Sequence, residues 1–157
     1  MRSARSADLE AILAIESHWT TTPHWTRAQF ESEFSNPRSV FLVAEVQCIA
    51  DAGMSGPREE SRGRLSGYGA AWAVEDELQI LSVAVNPEHV RRGIGRALVE
   101  ALCVQGRSRG CSRATLEVSH LNAGAVALYE GCGFVVVGRR PKFYNDGSDA
   151  VLMDKTL

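Results

Sequence analysis

Lysine is nearly missing from this chain: of 17 basic residues in 157, 15 are arginine. Arginine's planar donor fork suits phosphate and carboxylate, although a biased genome would give the same preference. No run of strictly apolar side chains exceeds five residues. A bilayer crossing takes roughly 20, so a membrane-spanning protein is excluded and no membrane partner is expected. Cys48, Cys103, Cys111 and Cys132 contain no Cys-x-x-Cys pair, which leaves no zinc knuckle or redox motif and makes reduced thiols the default. The start, Met1-Arg-Ser-Ala-Arg-Ser-Ala-Asp8, runs into no continuous apolar stretch, so a secretory signal is not expected and the location is read as cytoplasmic. His18, His24, His89 and His120 show no metal-ligand spacing, and no Gly-x-Ser-x-Gly elbow or Gly-Lys-Ser/Thr triplet occurs. Metalloenzyme, hydrolase and P-loop readings therefore fare poorly, and no metal is expected.

What is present is ordinary soluble composition, 45% hydrophobic and 23% charged, at a length that suits a single domain over 1–157. Such a chain can hide roughly 70% of its unfolded surface in one core without disulfide or metal staples. The net charge of −2 conceals an asymmetry. Residues 1–88 carry 7 basic against 13 acidic side chains, and residues 89–157 carry 10 against 6.

The hydrophobic pattern predicts a helix from Ser6 to about Glu16, with Ser6 as cap and Leu9, Ile12, Leu13 and Ile15 toward one face. Pro23 breaks the pattern. A capping box of Thr26 and Gln29 then opens a short helix carrying Phe30 and Phe34, which Asn36-Pro37 ends. Strands are expected over Val40–Val46, Leu65–Val74 and Leu78–Val85. Residues 47–64 read as a long loop, and Gly67 and Gly69 as marks of a bulge or a close backbone approach. A helix carrying Ile94, Leu98 and Leu102 ends near Gly110. A strand over Ala114–Ser119, a helix over Ala123–Glu130 and strands over Phe134–Gly138 and Ala150–Met153 follow. The string ααβββαβαββ predicts an α/β fold with a mixed sheet, an antiparallel start and at least one βαβ crossover.

The most informative stretch is Val83-Ala84-Val85-Asn86-Pro87, followed shortly by Arg91-Arg92-Gly93-Ile94-Gly95-Arg96. A buried strand ends and a short loop delivers arginines and glycines to the first turn of an amphipathic helix. That turn leaves backbone N–H groups unpaired, and glycines let a phosphate approach them. A helix start with solvated arginines has the same spacing. A dinucleotide fingerprint is a poorer fit, because neither Gly93-x-Gly95 nor Gly67-x-Gly69 is followed by the third glycine that packs helix on strand.

Together with Leu116-Glu117-Val118 and the block Asn122 to Phe134, which contains Tyr129 and Gly133, this stretch resembles the GCN5-related N-acetyltransferases (GNAT). The resemblance spans nearly the whole chain. Within that superfamily Leu116-Glu117-Val118, Pro23-His24-Trp25-Thr26 and the closing Asp149 to Met153 are similar to the RimI type. It implies a twisted, mostly antiparallel sheet splayed at its middle and flanked by helices. It also implies acetyl-coenzyme A (acetyl-CoA) as cosubstrate and a protein or peptide amino terminus, alanine-first in a ribosomal protein, as acceptor. Arg91, Arg92, Gly93, Ile94, Gly95 and Arg96 would hold the pyrophosphate, Val83, Ala84 and Val85 the pantetheine arm, and Asn122 a further part of the cofactor. The same resemblance makes Glu117 the base, Tyr129 the acid and the N–H of Val85 the oxyanion donor. Two segments depart from the family pattern, the long 47–64 loop and an altered 139–149, both on the acceptor side.

The residues alone leave these roles open. Strand alternation points Glu117 toward a polar cleft or toward water, and Tyr129 can equally be a core aromatic beside Val126 and Phe134. Acetylation of a small amine, or acyl-CoA binding without turnover, would suit much of the same pattern. Six of the ten basic residues of the second half fall between Arg91 and Arg113, opposed only by Glu100. One coenzyme with three phosphates accounts for that patch, so nucleic acid is not needed as a partner. The number of subunits is left open.

Overall fold

The computed structural model describes residues 1–19, 25–46 and 64–157. Seven strands form one sheet in the order β1-β2-β3-β4-β5-β7-β6: β1 (Arg2–Ser3), β2 (Ser39–Val46), β3 (Arg64–Val74), β4 (Glu77–Val85), β5 (Arg113–Ser119), β6 (Val135–Arg140) and β7 (Ala150–Thr156). Among the described residues four α-helices accompany them: α1 (Leu9–Glu16), α2 (Arg27–Glu33), α3 (Ile94–Ser108) and α4 (Ala123–Gly131). Every neighbouring strand pair is antiparallel except β4 and β5, whose parallel pairing needs the α3 crossover.

Alternation along the strands builds two cores on opposite faces. Val40, Leu42 and Ala44 of β2 join Leu98, Leu102, Tyr129 and Phe134 from the α3 and α4 side. Phe41 and Val43 join Leu9, Ile12, Phe30 and Tyr68 under α1 and α2. Gly67 answers its expectation as a close approach: a Cβ there would lie 2.8 Å from the Ala84 carbonyl oxygen and 3.1 Å from Leu98 Cδ1. Its missing side chain lets α3 sit directly on β3.

The local signals hold in part. Thr26 and Gln29 form the capping box, with the Thr26 N–H donating to Gln29 Oε1 at 2.7 Å. Ser6 does not cap α1. Residues Ser6–Asp8 form a 3-10 turn, and it is the Asp8 carboxylate that accepts the Arg5 N–H at 2.8 Å. Arg2 grips that carboxylate with two hydrogen bonds, 2.7 and 2.8 Å, and so orients it toward the chain start. Strand β1 has no apolar signature of its own, because a two-residue polar edge is held by backbone pairing to Val43 and Leu42. The break at Pro23 lies outside the described residues, as does the 47–64 loop up to Arg64, which opens β3.

One irregularity positions the site. Strand β4 pairs with β5 only from Glu77 to Ile80, opposite Arg113 to Leu116. Leu81 is then an extra residue against β3, where the register shifts between Ala70 and Ala71. Such a bulge bends and twists its strand. Beyond it β4 stays with β3 through Val85, while β5 stays with β7 through Ser119. The sheet splits there, and a cleft opens between the two halves.

Candidate active site

A cavity of about 690 Å³ fills this split. One wall is the edge of β4. Asn86 donates its N–H to the Ser66 carbonyl across β3 at 2.8 Å, so alternation turns the main-chain groups of Val83 and Val85 to the opposite edge, where β5 has departed. The Trp19 indole donates to the Val85 carbonyl at 2.9 Å. The edge thus leaves the Val83 main-chain groups and the Val85 N–H to an extended polar ligand such as a pantetheine arm.

The floor at one end is the start of α3. Val90, Arg91, Gly93, Ile94, Gly95 and Arg96 line the cavity. Arg91 and Gly93 both have positive φ, 60° and 77°, and a Cβ on Gly93 would meet nothing within 4 Å. Gly93 is thus needed for conformation, and the space beside it is open to an anion drawn by the N–H groups and dipole of a 15-residue helix. Gly95 has a second duty: a Cβ there would press to 3.2 Å on Leu128, so its absence also lets α4 close on α3. Arg92 is exposed and outside the lining. The Arg96 guanidinium lies against Gly131 at the end of α4. Val90, 40% exposed, precedes the run, whose cavity-lining cations are Arg91 and Arg96.

The facing wall comes from β5 and α4. Glu117 lines the cavity, and Arg140 Nη2 holds its Oε1 at 3.1 Å. The carboxylate side chain keeps 33% exposure, so the two directions open to it from sequence, cleft and water, are both realised. Tyr129 is buried and packs edge-on to Phe134 at 5.9 Å, yet it lines the cavity and its hydroxyl makes no hydrogen bond among the described residues. Core aromatic and cleft phenol are the same residue. Burial pushes its ionisation above the ordinary phenol value, so it stays protonated at neutral pH. Asn122 also lines the cavity, but its Oδ1 accepts the Ala125 N–H at 3.1 Å as the cap of α4, which leaves its amide NH₂ for a ligand.

The Acetyltransferase (GNAT) family profile matches residues 7–134. The chain belongs to the GNAT family. This GNAT chain is 38% identical over 154 residues to the ribosomal protein bS18-alanine N-acetyltransferase of Escherichia coli K12, covering 96% of this chain and 93% of the other. The crystal structure of the Escherichia coli ribosomal-protein-S18-alanine N-acetyltransferase superposes with a TM-score of 0.79 at 30% identity, over 99% of this chain and 91% of that one. Ard1 from Thermoplasma volcanium superposes with a TM-score of 0.82 at 25% identity, over 99% and 95%. As a GNAT enzyme the protein is an acetyl-CoA-dependent N-acetyltransferase with the mixed, split sheet expected of it. Among the described residues no helix is long and apolar enough to cross a membrane.

Several cleft residues of this GNAT enzyme escape a reading of the sequence. Glu16, Trp19 and Tyr144 all line the cavity, and Arg140 pairs with Glu117. Tyr144 titrates above the ordinary phenol range, first through burial and then through the charges of Glu117 and Asp146. Glu16 did leave a trace: it follows Leu9 and Ile12 at helical spacing, so a carboxylate sits on the apolar stripe of α1. His120 is exposed and accepts the Asp149 N–H at 3.1 Å, outside the cavity lining. Cys103 and Cys132 are buried packing.

Proposed function

We propose that this enzyme acetylates the α-amino group of an alanine-first protein amino terminus, that of ribosomal protein bS18, by direct transfer within a ternary complex. The observation that carries the reading is the unpaired β4 edge at Val83–Val85 facing a carboxylate, Glu117, and a phenol, Tyr129, across one cleft. Acetyl-CoA fits this chain's residues: Val83 and Val85 offer strand-like pairing to the pantetheine arm, with Ala84 between them. Arg91, Gly93, Ile94 and Gly95 offer the pyrophosphate a helix start, with Arg92 and Arg96 adding positive charge and Asn122 a further amide donor. The lining also carries the carboxylates of Glu16 and Glu117, in keeping with a cationic acceptor.

An α-amino group titrates near about 7.7 to 8, so at pH 7 it is mostly protonated and cannot attack. Glu117 takes that proton, directly or through one water, and Arg140 holds the carboxylate toward the cleft. The freed nitrogen lone pair forms the C–N bond at the thioester carbonyl. The Val85 N–H stabilises the charge that develops on the carbonyl oxygen. As the C–S bond breaks, Tyr129 gives its proton to the departing thiolate, the nitrogen sheds its second proton to solvent as the amide forms, and solvent exchange returns Tyr129 and Glu117 to their starting protonation. A thiol titrates near about 8.5, which makes the thiolate a fair leaving group and the help from Tyr129 modest.

The test is mass spectrometry of purified enzyme with acetyl-CoA, supplied in parallel with an alanine-starting bS18 peptide and a panel of small amines. Gain of one acetyl on the peptide, lost in Glu117→Gln, is the expected result. Acetylation of small amines alone overturns the acceptor, and acetyl-CoA binding without any turnover overturns the catalytic assignment.

A further inference from the structure

We infer that Glu16 is a positioning residue for the acceptor, because one buried carboxylate ties together the cavity-lining Trp25, the Tyr68 hydroxyl and, through it, Ser82 on the edge of β4. The inference rests on the amino-acceptor reading above and adds a residue to it that no motif names.

Glu16 ends α1 and is only 6% exposed, yet it lines the cavity. Burying a carboxylate is costly unless its oxygens are satisfied, so such a group is kept for what it holds. Oε1 accepts the Trp25 N–H at 3.1 Å, and Oε2 accepts the Tyr68 hydroxyl. That hydroxyl also lies 3.1 Å from Ser82 Oγ. The contacts join α1, the entry to α2, the middle of β3 and the part of β4 just before Val83. Trp25 and Ser82 line the cleft, and Tyr68 reaches it through Ser82. Trp25 stands on Phe30 with ring centroids 5.3 Å apart, and Phe30 meets the Tyr68 ring edge-on at 5.5 Å. Trp19 donates its backbone N–H to the Glu16 carbonyl at 3.1 Å and its indole to the Val85 carbonyl.

Loosening the Glu16 carboxylate therefore releases Trp25 and the Tyr68–Ser82 contact, while Trp19 stays tied to the Glu16 main chain and still holds the Val85 carbonyl. The α3 start, where Arg91, Gly93 and Gly95 sit, takes none of these contacts. Burial and the neighbouring Glu16 charge keep the Tyr68 phenol protonated, so it donates to the carboxylate. With both oxygens engaged in this way, Glu16 acts through its partners and Glu117 remains the proton acceptor.

Steady-state kinetics with each substrate varied in turn test this. Glu16→Gln keeps the shape and loses the charge. It is expected to raise the KM for an alanine-starting bS18 peptide about tenfold, with the KM for acetyl-CoA and kcat each within about threefold. Tyr68→Phe, which removes one oxygen from a fully packed ring, is expected to raise peptide KM about threefold. The double variant is expected to be no worse than Glu16→Gln, since the hydroxyl acts through the carboxylate. Unchanged peptide KM in both variants overturns the inference, as does an equal rise in both KM values. If Glu16→Gln does not fold, Tyr68→Phe decides by the same readout. Wild-type enzyme that never turns over the peptide overturns the acceptor reading and this inference with it, whereas normal turnover with insensitive variants overturns the inference alone.

Discussion

Along the β4 edge and the start of α3, the groups that face the cleft are largely main-chain: the N–H and C=O groups of Val83 and Val85, and the helix start at Gly93. Across the cleft and toward α1 they are side chains, drawn from Glu16, Trp19, Trp25, Glu117, Tyr129 and Tyr144. The first region is specified by backbone conformation, which a short contiguous run of sequence can encode. The second is assembled from segments more than a hundred residues apart, and each contribution hangs on a few atoms. Main-chain sites should fail when conformation is strained and shrug off many side-chain changes. Side-chain sites should fail when single polar groups are removed.

The sharpest break in that comparison is Glu117→Gln, which leaves the backbone untouched. It is expected to lower kcat/KM for the peptide at least about a hundredfold, with the acetyl-CoA Kd unchanged in calorimetry. The reverse case is Gly93→Val. A branched residue at φ 77° costs on the order of 1–2 kcal/mol or more, so acetyl-CoA binding is expected to weaken about tenfold. Arg92→Ala, whose side chain lies outside the lining, should weaken the same binding less than about threefold. An Arg92 effect exceeding the Gly93 effect would show the phosphate end to be side-chain built after all.

Tyr129→Phe is a smaller perturbation on the side-chain wall. Because the departing thiolate needs little help, kcat should fall about three- to tenfold, without change in the acetyl-CoA Kd. The smallest effect lies away from the cleft, at Glu77. Burial opposes ionisation of this carboxylate, but hydrogen bonds from Gln79, Thr115 and Arg113 outweigh it and hold its titration below the usual range. A group depressed in the folded state contributes stability above its unfolded value, and loses it as pH falls through the folded one. Thermal midpoints of the wild type should therefore drop more steeply below about pH 4.3 than those of Glu77→Gln. At neutral pH the two should differ by less than about 1 kcal/mol, since the Arg113 partner is exposed.

Much of the fold was readable because its signals are local. The Thr26–Gln29 box, the apolar run of β4 and the Leu98–Leu102 stripe of α3 each carry their own period or cap. The misses are places where a partner distant in sequence decides. Ser6 does not cap the first turn, and instead the Asp8 carboxylate, gripped by Arg2, accepts the Arg5 N–H; β1 exists only as an edge laid on β2. Likewise the Arg91 to Gly95 run drew notice by its glycines and helix start, which the structure places at the cavity. Nothing in the neighbourhood of Arg140 announced that it would reach Glu117 across the sheet.

By itself the sequence determined the order of the elements after β1, the family and the conformation of the α3 start, because periodicity, caps and positive-φ glycines are properties of adjacent residues. The tertiary structure alone decided where β4 and β5 part, that Arg92 stays outside the cavity while Arg91 lines it, and that Glu16 also lines that cavity. Those outcomes depend on a bulge at Leu81, on which way side chains leave a folded surface, and on hydrogen bonds between segments that meet only when the sheet closes.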